Sequence, residues 1–179
     1  MWRRAMVGFG VVLGLFCASA CSPVLDWRVI TLGADAQLQF PCKPDRLERQ
    51  VPVLDRAVPA QMLVCDAGGL SWSVTVFELG DPAQAAAALR ELPHKLLLNM
   101  SGTEAVLPPA TVAGKGGAVI ARRSRIDGVR PDGSPAAAQT LFAARGSRVY
   151  QLVAMTRSDA PEQWPSQADE FLDALRWQN

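Results

Sequence analysis

The chain has 179 residues, with 18 basic residues against 17 acidic ones for a formal net charge of +1, and 49% of it is hydrophobic. Such a length and apolar content suit one domain with a full core, and the near-neutral balance excludes a globally basic protein that seeks nucleic acid. With a single histidine, His94, every site of the Ser-His type would have to use that residue.

The chain opens with Arg3 and Arg4, a short apolar run from Ala5 to Phe16, and the small residues Ala18-Ser19-Ala20 before Cys21. Charge, apolar stretch and small-residue site together make a secretory signal peptide over residues 1–20. The run is far shorter than the roughly twenty apolar residues a spanning helix needs. Ala18-Ser19-Ala20-Cys21 resembles the bacterial lipobox, which implies a diacylglycerol on the thiol of Cys21 at the new N-terminus. Ala18 stands where Leu is favoured, and the same residues would also suit the ordinary signal peptidase. Ser22, rather than Asp, after the cysteine implies the periplasmic side of the outer membrane.

Removing residues 1–20 takes away Arg3, Arg4 and Cys17, leaving 159 residues with a net charge of about −1 and three cysteines, Cys21, Cys42 and Cys65. An odd number in an oxidising compartment asks which one is left over, and lipidation of Cys21 answers it. Cys42 and Cys65 are then expected to form a disulfide, worth about 3 kcal/mol in the loop-entropy model. The alternative is two separate buried thiols.

From Trp27 to Leu79, short bursts of alternating apolar and polar residues are bounded by turn formers, the pattern of antiparallel strands. The reading places strands near 28–32, 36–40, 46–53, 57–65 and 70–79. In the last, Trp72, Val74 and Val76 face one way, and Ser71, Ser73 and Thr75 the other. Leu54-Asp55-Arg56 turns the third strand onto the fourth, which brings Cys65 near residue 45 and within reach of Cys42.

Asp81-Pro82-Ala83-Gln84 opens a helix, with Asp81 as N-cap, Pro82 at the first position and Gln84 set to complete a capping box. Leu89, Leu92 and Leu96 recur at helical spacing and should face the sheet. Pro93 predicts a kink or break, and Gly102 a terminus. Residues 103–117 carry two prolines and three glycines among them and read as loop or short irregular strand. Strands follow near 117–127, 138–145 and 147–156, with a turn at Arg130-Pro131-Asp132-Gly133. The strand at 147–156 is apolar on both faces, as a central strand is. Finally Trp164, Ala168, Phe171, Leu172 and Leu175 form the stripe of a terminal helix, with Asp169, Glu170 and Asp173 outside it.

His94 follows Pro93 at the expected break and no G-x-S-x-G occurs, so it reads as a solvent-facing or capping residue. Cys42, Cys65, His94 and Asp66 show no metal-ligand spacing. Gly114-Lys115-Gly116-Gly117 lacks the spaced first glycine and the Ser or Thr of a phosphate loop, and reads as a flexible turn. Charge is the sharpest feature of the mature chain. From Lys115 to Arg157 eight basic residues face two acidic ones, whereas beyond Ser158 five acidic residues face Arg176 alone. Arg122, Arg123, Arg125 and Arg148 are candidates for contact with an anionic envelope component or an acidic partner. The bland alternative is a solvated arginine face partly neutralised by the acidic terminal helix.

Asp26-Trp27-Arg28, Phe40-Pro41-Cys42-Lys43-Pro44 and the closing Phe171-Leu172-Asp173-Ala174-Leu175-Arg176 together resemble small exported proteobacterial lipoproteins of unknown function. The order of strands, helix, strands and final helix also resembles the PsbP-like fold. That resemblance implies an α+β architecture, an antiparallel β-sheet packed by two main helices, and its best-known member is a binding subunit of photosystem II. No functional residue of that family can be placed on this chain.

The expectation is therefore a single α+β domain over residues 21–179 with a short N-terminal tether, lipid-anchored at the periplasmic side of the outer membrane. It would be a non-catalytic module that binds an envelope protein or an anionic envelope component, with no cofactor, no metal and no nucleic acid. The alternatives are a small-ligand carrier or sensor and, behind it, an unrecognised hydrolase built on His94.

Overall fold

A computed structural model describes residues 24–115 and 119–178. Residues 1–20, Cys21 and the Gly116-Gly117 pair, on which the export, anchor and glycine-turn readings rest, lie outside the described residues. The elements in chain order are β1 (Arg28–Leu32), β2 (Ala36–Phe40), β3 (Asp45–Val53), β4 (Arg56–Ala67), β5 (Leu70–Glu78), α1 (Pro82–Asn99), β6 (Thr103–Val112), β7 (Val119–Val129), β8 (Pro135–Arg145), β9 (Arg148–Thr156), α2 (Trp164–Leu172) and β10 (Arg176–Trp177).

Seven strands form an antiparallel sheet in the order β3-β4-β5-β9-β8-β7-β6, and β1-β2-β10 form a small second sheet. The fold class is α+β. β9 lies at the centre of the large sheet, and its sequence shows why: Tyr150, Leu152 and Ala154 are buried on one face while Val149 and Val153 are buried on the other. α1 covers the second of these faces, packing Ala85, Ala88 and Leu92 with Val53, Val58, Phe77, Phe142 and Val149. α2 and the small sheet cover the first, where Phe40, Trp72 and Phe171 meet edge to face at 5.3–5.4 Å. Among the described residues no helix is long and apolar enough to cross a membrane.

Cys42 and Cys65 are bridged, with Cα atoms 6.2 Å apart. The register behind it is the expected one, since Asp45 lies opposite Val64. The disulfide ties the end of the small sheet to the large one, at the end of the β3–β4 ladder away from their connecting turn.

Two local expectations are corrected. α1 runs unbroken through Pro93, which is buried inside it. A proline inside a helix removes one hydrogen bond and crowds the carbonyl four residues back, costing about 3 kcal/mol, but beyond Pro93 the helix inserts Leu96, Leu97 and Met100 among Ile126, Ala138 and Val153, and this burial offsets the cost. The helix ends in a Schellman arrangement in which Ser101 N–H bonds to Leu98 O and Gly102 N–H to Leu97 O. The left-handed residue is therefore Ser101 (φ 45°), and Gly102 is needed instead for space, since a Cβ there would lie 2.7 Å from Ile126 Cγ2. Gln84 does not complete a capping box: Asp81 accepts from Ala83 N at 2.9 Å, while Gln84 Oε1 has no partner.

Of the two alternatives for residues 103–117, loop or irregular strand, residues 103–112 take the second and form the ten-residue strand β6. Pairing with β7 skips Pro108 and Pro109 at a bulge between Leu107 and Ala110. Prolines are tolerated there because β6 is an edge strand whose outer N–H groups need no partner. β10, a two-residue strand with no sequence signal of its own, pairs with β2 and is gripped by residues 113–115. Trp177 N donates to Ala113 O, and Gly114 approaches Trp177 so closely that a Cβ would lie 2.2 Å from its carbonyl oxygen.

Candidate functional site

The four candidate arginines sit on β7 and β9, and each is held by carboxylates of the chain itself. Alternation along β7 sends Arg123 and Arg125 to the face covered by α2, and Arg122 to the other. Arg123 is nearly buried, its side chain 13% exposed, and pairs with Asp169 at 2.5 Å and Asp173 at 3.1 Å on α2. Arg125 pairs with Asp127 at 3.0 Å and lies over the Trp164 ring at 5.1 Å. Arg122 pairs with Glu104 on β6 at 2.8 Å. Burial works against ionisation of Glu104, but hydrogen bonds from Arg122 and Ser124 outweigh it and lower its pKa.

Arg148 bridges Asp35 at 2.8 Å and Glu78 at 2.6 Å. Desolvation disfavours its charge, yet the hydrogen bonds to these two carboxylates outweigh that and raise its pKa. Arg145 donates to Asp35 O and Lys115 O and lies 5.4 Å from the Trp177 ring centre, and Arg157 pairs with Asp66. The arginines of the basic stretch thus act as struts between strands, helix and turns, with Arg122, Arg123, Arg125, Arg148 and Arg157 paired to carboxylates.

The free arginines are elsewhere. Among the described arginines, only Arg46 and Arg49 have side chains with no hydrogen bond, ion pair or ring contact. Both are on β3, the outer strand of the large sheet, whose first six residues Asp45-Arg46-Leu47-Glu48-Arg49-Gln50 are all exposed.

Hairpin geometry decides which backbone groups of β3 are open. β3 and β4 join through the two-residue turn Leu54-Asp55, both at positive φ (51° and 57°), so Val53 and Arg56 are a hydrogen-bonded pair. Counting back by twos, odd-numbered residues bond to β4, and the N–H and C=O of Arg46, Glu48 and Gln50 point outward. Pro52 and Pro59 both occupy non-bonded positions of this ladder, as residues lacking an N–H must. Glu91 on α1 steadies the turn by accepting from Leu54 N at 3.2 Å, and its hydrogen bond with Lys95 lowers its pKa.

Beside this edge lies an open cleft of about 410 Å³, where the small sheet stops short of β3. Gly33, in the β1–β2 turn, forms one wall, and Glu48, Gln50, Gln61, Val76 and Glu78 line the sheet side. The cleft mixes apolar and polar lining and is open, unlike the closed cavity that a buried small ligand occupies. His94 is exposed on the solvent side of α1, and among the described residues no group of three or more His, Cys, Asp or Glu is placed to hold a metal ion.

The sequence reading missed Arg46 and Arg49 because a count of charge along the chain registers density, and their distinction is want of a partner. The available signal was the run Asp45 to Gln50 itself, polar on both faces apart from Leu47, which is how an edge strand reads.

No family model matches the chain, and no curated protein matches it. Among solved structures, a Bacteroides thetaiotaomicron protein aligns over 80% of this chain and 45% of its own length, at 11% identity and a TM-score of 0.44. A Pseudomonas aeruginosa protein of unknown function aligns over 82% of this chain and 94% of its own, at 16% identity and a TM-score of 0.38. The solution structure of cyanobacterial PsbP from Synechocystis aligns over 92% of this chain and 99% of its own, at 8% identity and a TM-score of 0.49.

Proposed function

We propose that the protein is a non-catalytic binding module of the bacterial cell envelope, tethered through a lipid on Cys21 at the periplasmic side of the outer membrane, that docks a protein partner along β3. The observation that carries this reading is the open edge: a nine-residue strand with outward backbone groups, unpaired Arg46 and Arg49, and a cleft at its side. An extended segment added there would gain main-chain hydrogen bonds from Arg46, Glu48 and Gln50 and place alternate side chains over the cleft. The opposite edge is spoiled for the same use by the Pro108-Pro109 bulge of β6.

The test uses Glu48→Pro, which removes one outward N–H and leaves the β3–β4 ladder whole. Cross-linking in intact envelopes should give an adduct with the wild-type chain that is lost in this variant, while both stay membrane-associated. An adduct indifferent to Glu48→Pro overturns the docking edge. Cys21→Ser tests the tether separately: the protein should leave the membrane fraction, because each acyl methylene contributes about 0.8 kcal/mol of anchoring.

A second reading, a carrier or sensor of a small ligand, rests on the 410 Å³ cleft beside β3. Ligand binding that survives Arg46→Pro, which removes an outward N–H of β3 away from the cleft, and fails on Gln61→Ala would favour it.

A further inference from the structure

We propose that the partner received by β3 is a second copy of this chain, paired antiparallel about a two-fold axis at Leu47; this rests on the reading that β3 is the docking edge. A two-fold strand pair sets residue i opposite residue j with a constant sum, and the charges of β3 select that sum.

With Leu47 opposite Leu47 of the second copy, Arg46 falls opposite Glu48 and Asp45 opposite Arg49, and the symmetry repeats both pairs. Every charge of the segment then meets its opposite. Sliding the pairing to either neighbouring symmetric register ruins this: one sets Glu48 against Glu48, the other Arg46 against Arg46. Like charges directly opposite are destabilising. The self-complementary register is therefore specified against its neighbours, which charges that only guarded an edge would not need to be.

The backbone accommodates this register, as it does its symmetric neighbours, so the side chains make the choice. Open donors and acceptors belong to even-numbered residues, and in this register Arg46 and Glu48 form the hydrogen-bonded pairs on both sides of the axis. Leu47 is then a non-hydrogen-bonded pair, the kind that brings side chains closest. Leu47 is 37% exposed, one of the few large apolar side chains left so, and Met62, its partner on β4, is half-buried beside it. On that face the two leucines would meet between Asp45–Arg49 ion pairs, and on the other the Arg46–Glu48 pairs would border the clefts. Two seven-stranded sheets would become one continuous sheet across the axis.

The experiment is sedimentation equilibrium of the mature chain carrying Cys21→Ser, with its disulfide intact. Wild type should dimerise. Asp45→Arg and Arg49→Asp should each weaken dimerisation by about tenfold or more, because each change places like charges opposite at two symmetric positions. Mixing the two variants in equal amounts should restore the dimer, since positions 45 and 49 of the mixed pair would again carry opposite charges on both sides of the axis. That recovery also shows that both variants are folded. A wild-type monomer across the concentration range, or dimers that neither variant weakens, or no recovery on mixing, overturns the second copy. Failure here is distinguishable from failure of the docking edge: a heterologous adduct that Glu48→Pro abolishes in envelopes would keep the edge and remove only the self-pairing.

Discussion

Tyr150, at the centre of the large sheet, donates from its hydroxyl to Asp35 Oδ1 at 2.7 Å in the turn of the small sheet. The same carboxylate oxygen accepts from Arg148 at 2.8 Å, so one residue of a β1–β2 turn is locked to two residues of β9. This fixes the hairpin whose tip walls the cleft.

Tyr150→Phe should lower stability by about 1–2 kcal/mol, the worth of a hydrogen bond to a charged acceptor, without altering the fold. Burial, reinforced by the hydrogen bond to Asp35, pushes the Tyr150 hydroxyl pKa up from 10.0. A raised folded pKa means stability that is full below pH 10 and declines above it as the unfolded chain ionises first. Denaturant titrations from pH 9 to 11 should show the difference between wild type and Tyr150→Phe shrinking as pH rises.

Glu91 behaves in the opposite sense. Its carboxylate is held in the ionised form by Lys95, with burial opposing and Leu54 N–H assisting, so its folded pKa lies below 4.5. Its contribution is present above pH 4.5 and is lost as pH falls through the folded value. Glu91→Gln should cost about 1 kcal/mol at neutral pH and almost nothing near pH 3, measured by urea unfolding at both. Amides of the Leu54-Asp55 turn should exchange faster in the variant.

Arg123 separates a structural arginine from a recognition arginine. Reversing it to Glu sets three carboxylates together under α2 and should lower stability by about 1–2 kcal/mol, partly screened because Asp169 and Asp173 are themselves half-exposed. Arg122→Glu should perturb only its pair with Glu104, and Arg46→Glu, lacking any internal partner, should leave the melting temperature within a degree or two. Thermal melts of the three variants check that order.

Much of this architecture is legible in the residues. The alternation of Trp72, Val74 and Val76 against serine and threonine marks β5, and the doubly apolar run around Leu152 places β9 at the sheet centre. The stripe from Trp164 to Leu175 marks α2, although the helix closes at Leu172 and Leu175 is buried just beyond it. Where local rules mislead, tertiary context is the reason. Pro93 stays helical because Leu96 and Met100 are buried beyond it, and Pro108-Pro109 sit in a strand because that strand is an edge. The candidate site was the least legible part. Arg123 and Asp169 are 46 residues apart in sequence, so no charge count could see that they neutralise each other, nor that Arg46 and Arg49 have no such partner.

Docking along β3 depends on its outward amides. Hydrogen exchange resolved to single residues should be measured for the protein in its native membranes and for the dilute Cys21→Ser form. Arg46 and Glu48 amides should exchange freely in the dilute form and become protected in membranes, while Leu47 and Arg49, bonded to β4, should be protected in both. Unchanged exchange at Arg46 and Glu48, with new protection along β6 or at the β7 arginines instead, would rule out docking along β3.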